Sequence, residues 1–186
     1  MQAKTIEIRR HAERHKPGDH LNTTGVARAR NARARDRDFA LVVTSPLPRA
    51  IQTAVAMGHG VDEEDWTMAT MGGSLVAFPW DVSFGAMQQA IRTDPVAGAW
   101  VIHLVAQLRY WLSRIDPGEA LLVVNHGGIA EAGIIGLLGD IDVSDFGPSL
   151  GYCEGARIEL AGETVRSVRL LRFDGNHEIE LDPIDA

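Results

Sequence analysis

Residues 39–58 read FALVVTSPLPRAIQTAVAMG, and the two halves of this stretch follow different rules. The first half is a continuous apolar run ended by Ser45-Pro46, the pattern of a strand covered on both faces. The second half suits a helix with Pro48 in its first turn and a stop near Gly58. Residues 119–139, EALLVVNHGGIAEAGIIGLLG, repeat that plan: an apolar strand, a tight turn, then a helix carrying Ile134, Ile135, Leu137 and Leu138. Units of this kind assemble as a parallel sheet with helices on its faces.

The chain opens on IEIRRHAERHKP, residues 6–17, where Ile6 and Ile8 alternate with Glu7 and Arg9 as in a short strand. Pro17-Gly18 rules out a long helix there, so Arg10 and His11 sit at the strand's exit. Residues 21–39 predict a helix rich in Ala and Arg, N-capped by Asn22 or a following Thr, its arginines a solvated face. Residues 59–82 carry the weakest periodicity and read as loops and short elements. Asp94-Pro95 starts a further helix, with Trp100, Leu104, Leu108, Trp111, Leu112 and Ile115 at helical spacing up to Pro117-Gly118. CEGARIEL and SVRLLRF alternate as strands do. The order β-α-β-α-α-β-α-β-β predicts a three-layer α/β/α sandwich, with a mainly parallel sheet and an antiparallel strand near the C-terminus. No repeat, low-complexity tract or linker divides residues 1–186, which read as a single domain.

A formal net charge of -7 argues against a general nucleic-acid surface, which needs a basic face. No run approaches the ~18 apolar residues of a membrane span. Charged residues appear before any long apolar stretch, so the expected location is cytoplasmic. The single cysteine, Cys153, cannot form an internal disulfide and reads more simply as a small packed residue than as a nucleophile.

Three strand exits carry distinctive polar residues: RRHAE, TSPLPRA and NHGGIAE. In open α/β sheets ligands bind beyond the carboxyl ends of parallel strands, so Arg10, His11, Arg49 and His126 can share one crevice. Two guanidiniums offer planar forks for phosphate oxygens, and two imidazoles donate hydrogen bonds or, when neutral, attack phosphorus. Helix starts after Pro48 and after Gly127-Gly128 add backbone donors for an anion. Taken singly, each of these residues is as readily a surface charge or a solvated loop histidine. His11 and His15 have the i,i+4 spacing of a zinc site, but the acid is displaced from HExxH and no helix spans them, so no metal and no cofactor is expected.

RRHAER with LNTTG after it, TSPLPRAIQTA and VVNHGG resemble, in order, the motifs of the histidine phosphatase superfamily, the phosphoglycerate mutase-like fold. The set covers roughly residues 4–138, and GPSLGYCEGARIEL resembles the late strand segment of small bacterial members. The resemblance implies that His11 is a nucleophile forming a phosphohistidine, and that Arg10, Arg49 and His126 hold the transferring phosphoryl group. Ala12 stands where members commonly have glycine, and Asn125 where serine or threonine is frequent.

The family's usual glutamate motif for the proton donor is missing. The stretch that should supply it holds Asp62, Glu63, Glu64 and Asp65, then Asp81 beside Phe78 and Trp80. Asp81 is the first candidate, since apolar neighbours would raise its pKa; Glu131 and Glu154 are the alternatives. Glu13 is expected to support the first loop. The leading expectation is a metal-independent phosphatase acting on a phosphorylated small molecule or a phosphohistidine protein. The alternatives are a catalytically impaired phosphate-binding or regulatory module, a mutase, and a protein that binds a partner through aromatics around Phe78 to Trp80.

Overall fold

The computed structural model describes residues 2–71 and 79–184. Its strands are β1 (Lys4–Arg10), β2 (Leu41–Thr44), β3 (Glu63–Glu64), β4 (Ala120–Asn125), β5 (Gly155–Ala161), β6 (Thr164–Asp174) and β7 (His177–Ile184). Its helices are α1 (Thr23–Asn31), α2 (Pro48–Ala56), α3 (Phe84–Thr93), α4 (Pro95–Ser113) and α5 (Ile129–Leu138). One seven-stranded sheet has the order β3-β2-β4-β1-β5-β6-β7. The β3-β2-β4-β1 half is parallel, and β5, β6 and β7 add antiparallel.

Ile6 and Ile8 of β1 face a large core shared with α3, α4 and α5. On the opposite face Val42, Leu122 and Val124 pack on Ala50 and Ala54 of α2. A sheet with helices on both faces is the predicted three-layer sandwich. Asp94 caps α4 by accepting from the amides of Val96 and Ala97 at 2.8 and 3.2 Å. Asn22 caps α1 by accepting from Gly25 at 2.7 Å.

The structure departs from expectation in four places. Helix α1 stops at Asn31 and a 3-10 turn, Arg33–Asp36, follows. Helix α4 ends at Ser113, before Pro117. Helix α3, whose Phe84, Met87 and Ile91 are buried, lies outside the predicted elements. Strand β7 is a further antiparallel strand beyond the two expected as β5 and β6.

Strand β7 also explains the charged half of β1. Glu7 and Arg9 are fully buried. Arg9 donates to Glu7 at 2.7 Å and to Glu178 of β7 at 2.6 Å, while Arg157 of β5 donates to Glu7 at 3.0 Å. Burial works against a charged Glu7, but Arg9 and Arg157 outweigh it and hold its carboxyl below the usual range. Arg9 also donates to the Cys153 carbonyl at 2.9 Å, so this ionic layer ties β1, β5 and β7 together directly beneath the β1 exit. Glu178→Ala leaves Arg9 undercompensated in the interior. It should cost about 3–5 kcal/mol of stability, read as a lower urea midpoint, and an unchanged midpoint would show that the layer contributes nothing.

Candidate active site

Strands β1, β4 and β2 are adjacent and parallel, so their exits open on one edge of the sheet. His11 follows β1 and donates its amide to Asn125 O at 2.8 Å; Ser45 follows β2 and donates its amide to Val124 O at 3.0 Å. His126 follows β4, and Arg49 is the second residue of α2. Gly128, with φ of +85°, makes the turn into α5. A Cβ at Gly127 would fall 2.9 Å from the Arg10 guanidinium carbon, so glycine there lets the chain pass beside the arginine.

Arg10, His11, Arg49 and His126 line one cleft of about 370 Å³. The His11 Nδ1 lies 2.7 Å from the Ala12 carbonyl, which fixes the ring proton on Nδ1 and leaves the Nε2 lone pair facing the cleft. Arg49 Nε sits 3.2 Å from that Nε2 and 3.2 Å from Nδ1 of His126. Because a guanidinium only donates, both ring nitrogens act as acceptors, and the His126 proton lies on Nε2, 2.7 Å from Ser45 Oγ. Arg10 donates through Nη1 to Leu150 O and lies 4.8 Å above the Tyr152 ring; its buried Nε has no partner among the described residues. The Arg10 and Arg49 guanidiniums line the same cleft as the two imidazoles.

Both imidazoles are held neutral. Burial, with the charges of Arg49 and Arg10, outweighs the Ala12 carbonyl and brings the His11 pKa down to about 4. Burial, Arg49 and the neighbouring His11 bring His126 down to about 3. A neutral imidazole keeps the lone pair that nucleophilic attack needs. Removing the shared donor should be felt directly: Arg49→Ala is expected to weaken vanadate binding about 10- to 100-fold, the worth of a charge-assisted contact. Equal affinity in a folded variant, measured by calorimetry, would mean that Arg49 does not serve the anion.

The carboxylates are placed differently. Asp81 lines the cleft beside Trp80, exposed rather than in an apolar pocket, and accepts from Ser149 Oγ at 2.9 Å. Phe78 lies outside the described residues. Glu131 is buried and accepts from the amides of Gly128 at 2.7 Å and Leu150 at 2.8 Å. Burial pushes its pKa up against those hydrogen bonds and the Arg10 charge. Its use of the Gly128 amide takes one donor that the start of α5 was expected to offer an anion. Glu154 accepts from Gly151, Phe173 and Arg172 and does not line the cleft.

Asp62 accepts from Val42, and Asp65 accepts from Gln107 and Trp111, so the acidic stretch serves the fold. Glu13 accepts from Asn22 at 3.0 Å, which links the first loop to the cap of α1. Burial pushes the Cys153 thiol up to about 12, which keeps it protonated. No group of three His, Cys, Asp or Glu among the described residues is placed to hold a metal ion.

Three further residues join the site: Asp19, which ion-pairs with Arg49, Ser45 beside His126, and Tyr152 in the cleft wall. The sequence signal for Ser45 is its place in TSPLPRA directly after a buried strand. Nothing local in Gly18-Asp19-His20 marked the aspartate, because its partner is thirty residues away.

Among the described residues no helix is long and apolar enough to cross a membrane. The family model for the histidine phosphatase superfamily (branch 1) matches residues 8–69, a stretch that holds Arg10, His11 and Arg49. No curated protein matches the chain by sequence. Solved structures with the same architecture include phosphoglycerate mutase from Bacillus anthracis, at 18% identity and a TM-score of 0.62, covering 89% of this chain and 91% of that one. Phosphoserine phosphatase from Entamoeba histolytica matches at 16% identity and a TM-score of 0.57, covering 95% and 94%. A mycobacterial glucosyl-3-phosphoglycerate phosphatase matches at 21% identity and a TM-score of 0.53, covering 91% and 97%. The chain therefore has the fold of the histidine phosphatase superfamily, which it shares at low identity with solved mutases and phosphatases.

Proposed function

We propose that the protein is a metal-independent phosphatase that hydrolyses a phosphomonoester or a phosphohistidine through a phosphohistidine intermediate on His11. The observation that carries this reading is the orientation of His11: Nδ1 tied to the Ala12 carbonyl, with Nε2 facing Arg49 and His126. An arriving phosphoryl group takes the Arg49 Nε–H for its own oxygens and frees the Nε2 lone pair. Arg10, which lines the same cleft, supplies a second guanidinium. His126 serves as a donor when its proton is on Nδ1, and the Ser45 hydroxyl, able to donate as well as accept, supports that form.

The Nε2 lone pair then bonds to phosphorus as the bond to the leaving oxygen breaks, and Asp81 delivers a proton to that oxygen. In the second step Asp81 takes a proton from water, the water oxygen bonds to phosphorus, and the His11 nitrogen leaves. Stabilisation comes from donors already in place around the phosphoryl oxygens, and covalent catalysis divides hydrolysis in two. Phosphatases acting on phosphoserine and on glucosyl-3-phosphoglycerate share the fold, which supports a phosphomonoester. The exposed, Ser149-bound Asp81 supports a substrate that leaves with little help, such as phosphohistidine.

Release of nitrophenol from p-nitrophenyl phosphate in the presence of a chelator tests the proposal. Turnover inhibited by vanadate is the expected result. Failure on this ester and on a panel of phosphorylated metabolites and phosphohistidine peptides would leave a phosphate-binding module without catalysis.

A further inference from the structure

We infer that Asp19 is a positioning residue, which holds the Arg49 guanidinium so that its Nε edge faces the two imidazoles. Arg49 is gripped at two points. Its Nη1 is ion-paired with Asp19, and its Nε lies 3.2 Å from His11 Nε2 and 3.2 Å from His126 Nδ1. The group is planar, so it cannot turn about its own bond without giving up one of these contacts. Nη2 has no partner among the described residues, and together with Nε it forms the fork that a phosphoryl group would meet.

Asp19 is itself held by the helix that carries Arg49. The loop bearing it closes through an antiparallel bridge between Arg14 and Leu21 and a 2.9 Å bond from the His15 amide to His20 O. Gln52 of α2 accepts from the Leu21 amide at 2.8 Å and its side-chain amide lies 2.7 Å from His20 Nδ1. Arg49 and Gln52 are three residues apart and share a face of α2, so one grips the loop that presents the carboxylate to the other. The carboxylate also offsets the poor placement of a cation in the first turn of a helix, where the backbone dipole repels it. The Arg49 side chain is 17% exposed and that of Asp19 36%, so Asp19 can be changed without opening the core.

This inference rests on the phosphatase reading for its catalytic meaning, but its test does not need turnover. Vanadate affinity is measured by calorimetry in the full chain for Asp19→Ala, Arg49→Ala and the double variant. Asp19→Ala should weaken binding roughly three- to thirtyfold in the wild-type background. In the Arg49→Ala background it should change affinity less than about twofold, because nothing remains to be positioned. Asp19→Asn, which keeps an acceptor without the charge, should recover part of the loss. An equal loss in both backgrounds would overturn the inference in favour of a general loop effect. Tighter vanadate binding by Asp19→Ala would also overturn it, since Asp19 would then be competing with the ligand for Arg49. If turnover exists, the defect should appear with p-nitrophenyl phosphate in KM more than in kcat. If no phosphoester is turned over, the phosphatase reading fails while the binding cycle still decides the role of Asp19.

Discussion

His11→Ala is expected to abolish turnover while leaving vanadate binding within about tenfold of wild type, because Arg10, Arg49 and His126 keep their donors. During turnover of a labelled substrate the wild-type protein should carry acid-labile, alkali-stable phosphate on His11. Label that persists in His11→Ala would move the nucleophile elsewhere. The pH dependence follows from the neutral imidazoles. With pKa values of about 4 and about 3, His11 and His126 stay neutral well below the ordinary histidine range, so activity should survive mild acid and fall as pH drops through about 4. The same shifts act on stability. Below pH about 6.5 the unfolded chain binds protons at these positions that the folded chain refuses, so stability falls as pH decreases from there toward 4. An acid limb of activity near pH 6.5 would show that the groups are not held neutral in the free protein.

The parallel half of the fold was legible because its strands are covered on both sides. Residues 41–44 and 120–125 are almost uniformly apolar, and each runs into a turn and a helix with ordinary start signals. Strand β7 was hidden by an inversion. Its buried face carries Glu178, while Ile179 and Leu181 are 39% and 46% exposed, so hydrophobic alternation points the wrong way. The reason lies a long way off in sequence: Arg9 and Arg157 wait beneath it, and only the assembled sheet brings the charges together. Helix α3 differs in kind. Phe84, Met87 and Ile91 have helical spacing and Ser83 caps the first turn, so its signal was present, next to a stretch with none.

The site divides along the same line. Arg10, His11 and His126 end or follow strands and Arg49 opens a helix, so strand-end reasoning alone brings them to one edge of the sheet. What depends on cross-chain contact escaped it. The pairing of Asp19 with Arg49 and of Ser45 with His126 joins loops from different units. The carboxylate candidates show the same limit: a sequence gives their order, whereas their availability depends on which backbone amides and arginines have already taken them. Glu131 and Glu154 are each bound by two amides, and Glu154 by Arg172 as well; Asp81 has a serine hydroxyl and an open face on the cleft.

That difference sets the expectation for the proton donor. If Asp81 protonates the leaving oxygen, Asp81→Asn should depress turnover of alkyl phosphates about 10²- to 10⁴-fold, the usual worth of a general acid. p-Nitrophenyl phosphate should hardly respond, since nitrophenolate departs without a proton. The contrast between the two substrates is the informative quantity, because a variant that merely disturbed the cleft would slow both alike. Ser149→Ala offers an internal control: it releases Asp81 Oδ1 from its 2.9 Å hydrogen bond without removing the acid, so alkyl phosphates should still turn over. Equal losses on both substrates in Asp81→Asn would assign Asp81 a supporting role. No loss on either would leave the departing group unassisted by Asp81, and the physiological substrate would then be sought among phosphates with good leaving groups. Phosphohistidine is the first of these, because an imidazole leaves phosphorus more readily than an alkoxide does.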